Sequence, residues 1–193
     1  ANTAIFYSIS NCQKGLRGVT FGNFLIKQVV EELIQDLPQL KTFVTLSPIP
    51  GFRNWLGKEI DNDILPLKKL NIKVLGQLEN PEWYKLNQKS QELKKVLLQL
   101  ASEYLFHARR KNHEPVDPVA RFHLGNGASL ERINWLGDIS KTGIEQSAGM
   151  MVNYLYDLDQ IEKNHEAYIN EQKVIASNEI RKLANRKLLQ KAA

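Results

Sequence analysis

A short β-favouring run that two prolines stop abruptly constrains this chain more than any other sequence feature. Phe43 to Leu46 are apolar or β-branched, and such a run predicts a buried strand. Ser47 follows, and Pro48 and Pro50 end the strand because proline has no N–H to donate to a neighbouring strand. A serine hydroxyl is thereby held on a stiff loop at the carboxyl end of a strand, where open α/β sheets bind ligands. The alternative interpretation is an ordinary Ser-Pro turn that merely ends the strand.

The first 47 residues predict a βαβ unit. Residues 1–10 alternate as a strand would, with Ile5, Tyr7 and Ile9 on one face. Apolar residues then recur at helical spacing from Leu25 to Ile34, and Pro38 ends the helix. The next strand is the one that precedes Ser47, so the two strands are expected to lie parallel in one sheet.

The loop before this helix, residues 11–22, carries three glycines and is a candidate anion site. Backbone N–H groups at a helix N-terminus attract anions, and the helix dipole favours negative charge there. Gly18 and Gly22 would let a diphosphate approach the backbone closely, and Arg17 would add positive charge. A plain helix start is the alternative, because a glycine-rich turn alone is a weak signal.

The rest of the chain predicts further helices and two strands. In order, we expect a short helix at 52–57, irregular chain at 58–80, a long helix from about 81 to 110, a strand at 119–124, a helical segment at 128–135, a strand at 150–156 and a helix or helix pair at 158–189. His123 lies in the predicted strand at 119–124, just before a Gly-Asn-Gly turn. An isolated histidine there would be interpreted as a core residue. Together with Ser47 and the glycine loop, we interpret it as functional.

Composition narrows the classes of function. The chain has a net charge of +5 and one cysteine, Cys12, which excludes an intramolecular disulfide and fits a reducing compartment. The positive charge favours acidic partners, but basic residues alternate with acids and neither zinc-finger spacing nor an aromatic RNA-binding signature occurs. No apolar run has the length of a membrane span. We therefore expect neither a nucleic acid nor a membrane partner, and a cytoplasmic location, with the mitochondrion as the alternative for a eukaryotic chain.

Several segments together resemble the malonyl-CoA decarboxylase family, specifically the C-terminal part of its catalytic domain. They are residues 6–10, 15–19 with 22, 46–52, 118–124 with 126–128, 132–135 and 153–156. The most specific are the string Ser-Pro-Ile-Pro-Gly-Phe at 47–52 and the string Phe-His-Leu-x-Asn-Gly-Ala at 122–128. These segments occur in the family's order and cover most of the chain, except the stretch near 58–116.

The resemblance implies an α/β fold of the GNAT (acyl-CoA N-acyltransferase) type. Such a fold is a mixed sheet flanked by helices, with a V-shaped opening that holds the pantetheine arm of the substrate. Residues 1–193 would form the C-terminal catalytic domain, without the family's N-terminal helical domain and without the first strands of the fold. The expected protein partner is either that N-terminal part or a second copy of the chain in a homo-oligomer.

The resemblance also implies the roles of individual residues. Ser47 and His123 match the catalytic serine and histidine, and Tyr156 matches a further residue that lines the same site. We count Tyr156 with the catalytic residues, with the hypothesis that it orients the pair. The substrate-binding residues would be Ser8, Arg17, Gly18, Val19, Thr20, Phe21, Gly22 and Asn126, of which the loop residues 17–22 correspond to the pyrophosphate-binding turn. Thr20 stands where the family commonly has an acidic residue, so no supporting role of that carboxylate is expected here.

The activity implied by the resemblance is decarboxylation of malonyl-CoA to acetyl-CoA and CO2, without a metal or an organic cofactor. The CoA thioester itself accepts the electrons, and a protein can assist by stabilising the resulting enolate and supplying a proton. We expect a non-covalent Ser47–His123 pair, in which serine holds the departing carboxylate or contacts the histidine. The alternatives are an acyltransferase of the same fold and a non-catalytic acyl-CoA-binding module.

Overall fold

The computed structural model describes residues 1–7, 22–62 and 69–185 of the chain. The strands are β1 (Thr3–Tyr7), β2 (Thr42–Pro48), β3 (Ser129–Asn134) and β4 (Met151–Leu155). The helices are α1 (Gly22–Asp36), α2 (Phe52–Asp61), α3 (Lys69–Leu75), α4 (Asn87–Phe106), α5 (Pro118–Gly125), α6 (Lys141–Ser147), α7 (Ile161–Glu171) and α8 (Asn178–Ala184). Two 3-10 turns, Gly76–Glu79 and Trp83–Lys85, connect α3 to α4.

The four strands form one mixed sheet in the order β1-β2-β4-β3. Strands β1 and β2 are parallel, with Thr3 opposite Thr42 and Tyr7 opposite Leu46, whereas β4 is antiparallel to both β2 and β3. Helix α1 lies between β1 and β2 in the chain, so the predicted parallel βαβ unit is confirmed. The predicted class, a mixed sheet flanked by helices, is confirmed as well.

Helix α4 supplies much of the apolar core. Leu93, Leu97, Leu100 and Leu105 are completely buried, as their helical spacing predicts, and α4 packs against α8, α2 and α3. The helix is shorter than the predicted span of 81–110, because residues 83–85 form a separate 3-10 turn and α4 ends at Phe106. Among the residues that the structure describes, no helix combines the length and apolarity needed to cross a bilayer.

Two predicted elements near the candidate site are wrong. Residues 119–124 form helix α5 instead of a strand, because Asp117 caps the helix by accepting from the N–H groups of Val119 and Ala120. Pro118 occupies the first turn, where its missing N–H costs nothing and its fixed φ suits a helix. The Asp-Pro pair was therefore a helix-start signal that the β-favouring apolar run obscured.

The segment 128–135, predicted as helical, instead contains strand β3 at Ser129–Asn134. Leu130 and Ile133 are both buried, at a spacing of three that is typical of a helix. An irregularity between Leu130 and Arg132 shifts the pairing with β4, and it brings both side chains to the buried side of the sheet. The stretch 58–80 was predicted as irregular, but α2 continues to Asp61 and α3 occupies Lys69–Leu75.

Candidate active site

Ser47 lies near the carboxyl end of β2 and is nearly buried, with 5% of its surface exposed. Side chains alternate across a strand, so Phe43, Thr45 and Ser47 point to the same buried side. Pro48 closes β2 and the chain then turns into α2 at Phe52, as the proline-rich string predicts. The serine hydroxyl is thus presented from a rigid element instead of a loose turn.

His123 reaches this serine from the last turn of α5. Its Nε2 lies 3.1 Å from Ser47 Oγ, and its Nδ1 lies 2.8 Å from the Tyr156 hydroxyl. Tyr156 directly follows β4, and its backbone N–H donates to the carbonyl oxygen of Phe43. The structure therefore brings together the three residues for which a catalytic role is predicted, from β2, α5 and the end of β4, in one hydrogen-bonded series.

The environment of the His123 ring keeps it uncharged. The ring is 2% exposed and stacks on Tyr154 with centroids 4.5 Å apart and 24° between the planes. Burial lowers the pKa of His123 from 6.5 to about 4, because an imidazolium ion would lose its hydration there. Burial also raises the pKa of Tyr156 far above its usual value, so that this phenol keeps its proton. At pH 7 the pair is a neutral imidazole and a neutral phenol.

Thr45 is a member of the site that the sequence interpretation missed. Its hydroxyl is fully buried and accepts a hydrogen bond from Ser47 Oγ at 2.9 Å and from the backbone N–H of Tyr154 at 3.1 Å. The signal was available, because residues two apart on a strand lie on the same face and Thr45 is two residues before Ser47. The hydrogen-bonded series therefore runs from Thr45 through Ser47 and His123 to Tyr156.

Asn126 lies at the carboxyl end of α5 and has an unsatisfied side chain. It is 4% exposed, and neither its Nδ2 nor its Oδ1 has a hydrogen-bond partner within residues 1–7, 22–62 and 69–185. Buried amides are normally hydrogen-bonded, so such an atom calls for an explanation, of which a bound ligand is one. The prediction that Asn126 binds substrate fits this observation, which does not test it.

Tyr104 connects the turn between β2 and α2 to helix α5, which carries His123. Asp117 caps α5 and accepts a hydrogen bond from the Tyr104 hydroxyl at 3.3 Å. Burial raises the pKa of Asp117, and the two backbone N–H groups and Tyr104 oppose this effect. The same Tyr104 hydroxyl packs so closely on Gly51 that a Cβ at Gly51 would collide with it. Tyr104 thus touches both the loop after Ser47 and the cap of the helix that carries His123.

The remaining predicted site residues lie largely outside the part of the chain that the structure describes. Ser8, Arg17, Gly18, Val19, Thr20 and Phe21 lie outside the described residues, and Gly22 is the first residue of α1. Within the described part of the chain, no group of three or more His, Cys, Asp or Glu side chains is arranged to hold a metal ion.

The chain matches a known family over its whole length. The family model described as the malonyl-CoA decarboxylase C-terminal domain matches residues 1–193. A protein named mitochondrial malonyl-CoA decarboxylase from Anser anser anser is 42% identical over 204 residues, which cover 92% of this chain and 39% of that protein. The protein of the same name from Mus musculus is 40% identical over 196 residues, covering 92% of this chain and 40% of its own length. The chain thus spans about two fifths of these relatives.

Solved structures agree with the sequence matches. The crystal structure of malonyl-CoA decarboxylase from Rhodopseudomonas palustris has a TM-score of 0.91 at 53% identity, over 95% of this chain and 42% of that one. The structure of the protein of the same name from Agrobacterium vitis has a TM-score of 0.92 at 52% identity, over 96% of this chain and 46% of that one. Both the recognised resemblance and the predicted GNAT-like fold are confirmed. The chain therefore belongs to the malonyl-CoA decarboxylase C-terminal domain family.

Proposed function

We propose that the protein decarboxylates malonyl-CoA to acetyl-CoA and CO2, and that residues 1–193 are its C-terminal catalytic domain. The observation that carries this proposal is the buried contact of 3.1 Å between Ser47 Oγ and His123 Nε2, in a chain that matches the family model throughout. A hydroxyl and an imidazole converge on one point from two different elements, which is the arrangement that acid–base chemistry requires.

The reaction breaks the bond between the malonyl carboxylate and the α-carbon. The electron pair of that bond moves into the thioester and gives an enolate with its charge on oxygen, and CO2 leaves. The α-carbon then takes up a proton from His123, which solvent replaces. Hydrogen-bond donors aimed at the enolate oxygen stabilise it strongly in a dry site. In this proposal the His123 N–H is such a donor, and Ser47, which contacts the ring at 3.1 Å, is buried with it. The CoA thioester acts here as substrate, and the protein supplies no metal or organic cofactor in this proposal.

His123 is the proposed proton donor. In the described structure its burial favours the neutral ring. A bound malonyl carboxylate would bring negative charge close to the ring, and a nearby opposite charge favours the protonated imidazole. The ring would then hold the proton that the enolate carbon takes up, and Tyr156, 2.8 Å from Nδ1, would keep the ring in orientation.

Substrate binding is assigned to the loop that precedes α1 and to Asn126. We propose that Ser8 and the loop residues Arg17, Gly18, Val19, Thr20 and Phe21, together with Gly22, hold the CoA end of the substrate. The start of α1 at Gly22 supports this, since helix N-termini favour anions. The unsatisfied amide of Asn126 would complete its hydrogen bonds with the acyl group.

Cellular location and assembly belong to the same proposal. The relatives from Anser anser anser and Mus musculus are named mitochondrial. We propose a cytoplasmic location, supported by the single cysteine, which suits a reducing compartment. The protein partner would be either a second copy or the part of the protein that corresponds to the rest of its longer relatives. Fractionation of the native host and sedimentation of the full-length protein test these points.

Analysis of the products tests the proposed activity. Full-length protein is incubated with malonyl-CoA, with and without an amine acceptor, and CO2, acetyl-CoA and acylated amine are measured. Equal amounts of CO2 and acetyl-CoA, independent of the amine, are expected. Acylated amine without CO2 would show an acyltransferase, and tight CoA binding without any product would show a binding module; either result would refute the proposal.

A further inference from the structure

Two groups lie within hydrogen-bond distance of the Thr45 hydroxyl oxygen. The first is the backbone N–H of Tyr154 and the second is the hydroxyl of Ser47. The N–H of Tyr154 can only donate, and it leaves one further acceptor position on the threonine oxygen for the Ser47 hydroxyl. A Ser47 proton that lies on this contact is not available to His123, since serine has only one hydroxyl proton.

The orientation of Thr45 is fixed by the sheet around it. At this position of β2, the N–H of Tyr154 donates to the Thr45 side chain, and the carbonyl oxygen of Thr45 accepts from Asn153 Nδ2 at 2.5 Å. Asn153 is in turn held by Asn134 Nδ2 at 2.8 Å. Side chains therefore take the place of main-chain hydrogen bonds between β2 and β4. Threonine is also stiff at χ1, so the hydroxyl cannot turn away without breaking a buried bond.

We propose that Thr45 is a positioning residue which, by accepting the Ser47 proton, fixes the direction of the whole hydrogen-bond series and makes His123 Nε2–H a donor toward Ser47. In this series Tyr156 O–H donates to Nδ1, Nε2–H donates to Ser47 Oγ, and Ser47 O–H donates to Thr45 Oγ1. The Tyr156 contact favours the same direction, because a phenol is a stronger donor than an aliphatic hydroxyl and imidazole nitrogen is a good acceptor. The inference deepens the proposed function and rests on it for its catalytic meaning.

The direction decides which chemistry Ser47 can do. In serine hydrolases Nε2 accepts the serine proton and thereby makes the oxygen nucleophilic. Here Nε2 carries the proton and donates a hydrogen bond to Ser47 Oγ. The serine oxygen is therefore not activated for covalent attack. The imidazole N–H instead lies beside the serine hydroxyl as a donor for an oxyanion or as the group that passes on a proton. Thr45 thus separates a decarboxylation site from a hydrolase-type site built from the same pair.

The tautomer of His123 tests this directly, without any turnover. Full-length protein labelled with 15N in histidine is studied by NMR at pH 7, and His123 is assigned by comparison with His123→Gln. A proton on Nε2 and a bare Nδ1 are expected in the wild type. In Thr45→Val the Ser47 proton loses its acceptor and can turn to Nε2, so the Nδ1–H form should gain population. A wild-type ring protonated on Nδ1 would overturn the proposal, whatever activity the enzyme shows.

Kinetics of two variants separate positioning from packing. Thr45→Val keeps the shape and removes the hydroxyl, and it should lower kcat about tenfold or more, the value of one lost hydrogen bond, while KM changes by less than about twofold. Thr45→Ser keeps the hydroxyl and removes a methyl group, and it should retain kcat within about threefold. Equal losses in both variants, or no loss in Thr45→Val, would overturn the proposal. If Thr45→Val does not fold, the tautomer of His123 in the wild type and the kcat of Thr45→Ser still test the proposal. If wild-type protein gives no CO2, the proposed function fails, and the tautomer still tests the role of Thr45.

Discussion

Acidifying the solution from pH 7.5 to pH 5 should destabilise the fold through the buried ring of His123. The pKa of this histidine falls from 6.5 to about 4 on folding, so the unfolded chain takes up a proton at a higher pH than the folded protein does. Stability from the neutral ring is therefore fully present above pH 6.5 and is lost as the pH falls toward 4. The direction is opposite to that expected of a histidine held in an ion pair.

The size of the effect follows from the two pKa values. Their difference corresponds to a loss of about 3 kcal/mol in the free energy of unfolding in the limit below pH 4. At pH 5 the loss is about 2 kcal/mol. Because His123 is 2% exposed, solvent screening reduces this value little. A loss of about 2 kcal/mol is a large part of the stability of an ordinary domain.

Urea denaturation at the two pH values measures this loss. His123→Gln is the control, because glutamine carries a polar group near the position of Nε2 but does not titrate. The free energy of unfolding of the wild type should fall between pH 7.5 and pH 5 by about 2 kcal/mol more than that of His123→Gln. Other titrating groups, including Asp117, contribute equally to both proteins. The same pH dependence in the two proteins would show that His123 is not held neutral by burial.

Four further substitutions test the surroundings of the site. Tyr156→Phe removes the hydroxyl that contacts His123 Nδ1 at 2.8 Å. It should lower the free energy of unfolding by about 1 kcal/mol and lower kcat several-fold. An unchanged kcat would show that the hydroxyl does not orient the ring. Gly51→Ala places a methyl group against the Tyr104 hydroxyl and should destabilise by about 1–3 kcal/mol in thermal melts. Tyr104→Phe in the same protein should recover part of this loss, and additive losses would refute the collision. Asn126→Ala should raise KM for malonyl-CoA by about fivefold or more without unfolding the protein, because one hydrogen bond to the ligand is lost. An unchanged KM would exclude Asn126 from substrate binding.

The elements around Ser47 could be predicted because their signals are local. A β-favouring run followed by two prolines has few alternatives, and β2 ends where the prolines require. The parallel βαβ unit follows from the order of elements, since two parallel strands need a crossover connection. These features depend on backbone chemistry that each segment carries within itself.

The elements around His123 could not be predicted from the spacing of apolar residues. The run 119–124 is too short for hydrophobic spacing to distinguish a buried strand from a helix, and the cap at Asp117 decides the matter through bonds to Val119 and Ala120. In β3 the pairing irregularity after Leu130 imitates a helical spacing. His123 was nevertheless selected as a candidate, because its combination with Ser47 and the glycine loop, and its match to the family, do not depend on the secondary structure of each segment.

The contacts that connect the site were beyond sequence reasoning for a different reason. Thr45 and Tyr154 act through bonds between β2 and β4, whose 109-residue separation gives no local signal. The Tyr104 contact with Asp117 and Gly51 likewise joins three separate segments. Such contacts become visible only after the register of the sheet is known.

The rate of CO2 release from malonyl-CoA by full-length His123→Gln tests most directly whether the Ser47–His123 pair performs the reaction. His107→Gln, a change at an exposed histidine after α4, is the matched control. Removal of the proposed proton donor should lower kcat by about 10² or more, with CoA affinity and the kcat of His107→Gln close to those of the wild type. A His123→Gln protein that folds, binds CoA and releases CO2 at the wild-type rate would contradict the proposed role of this pair.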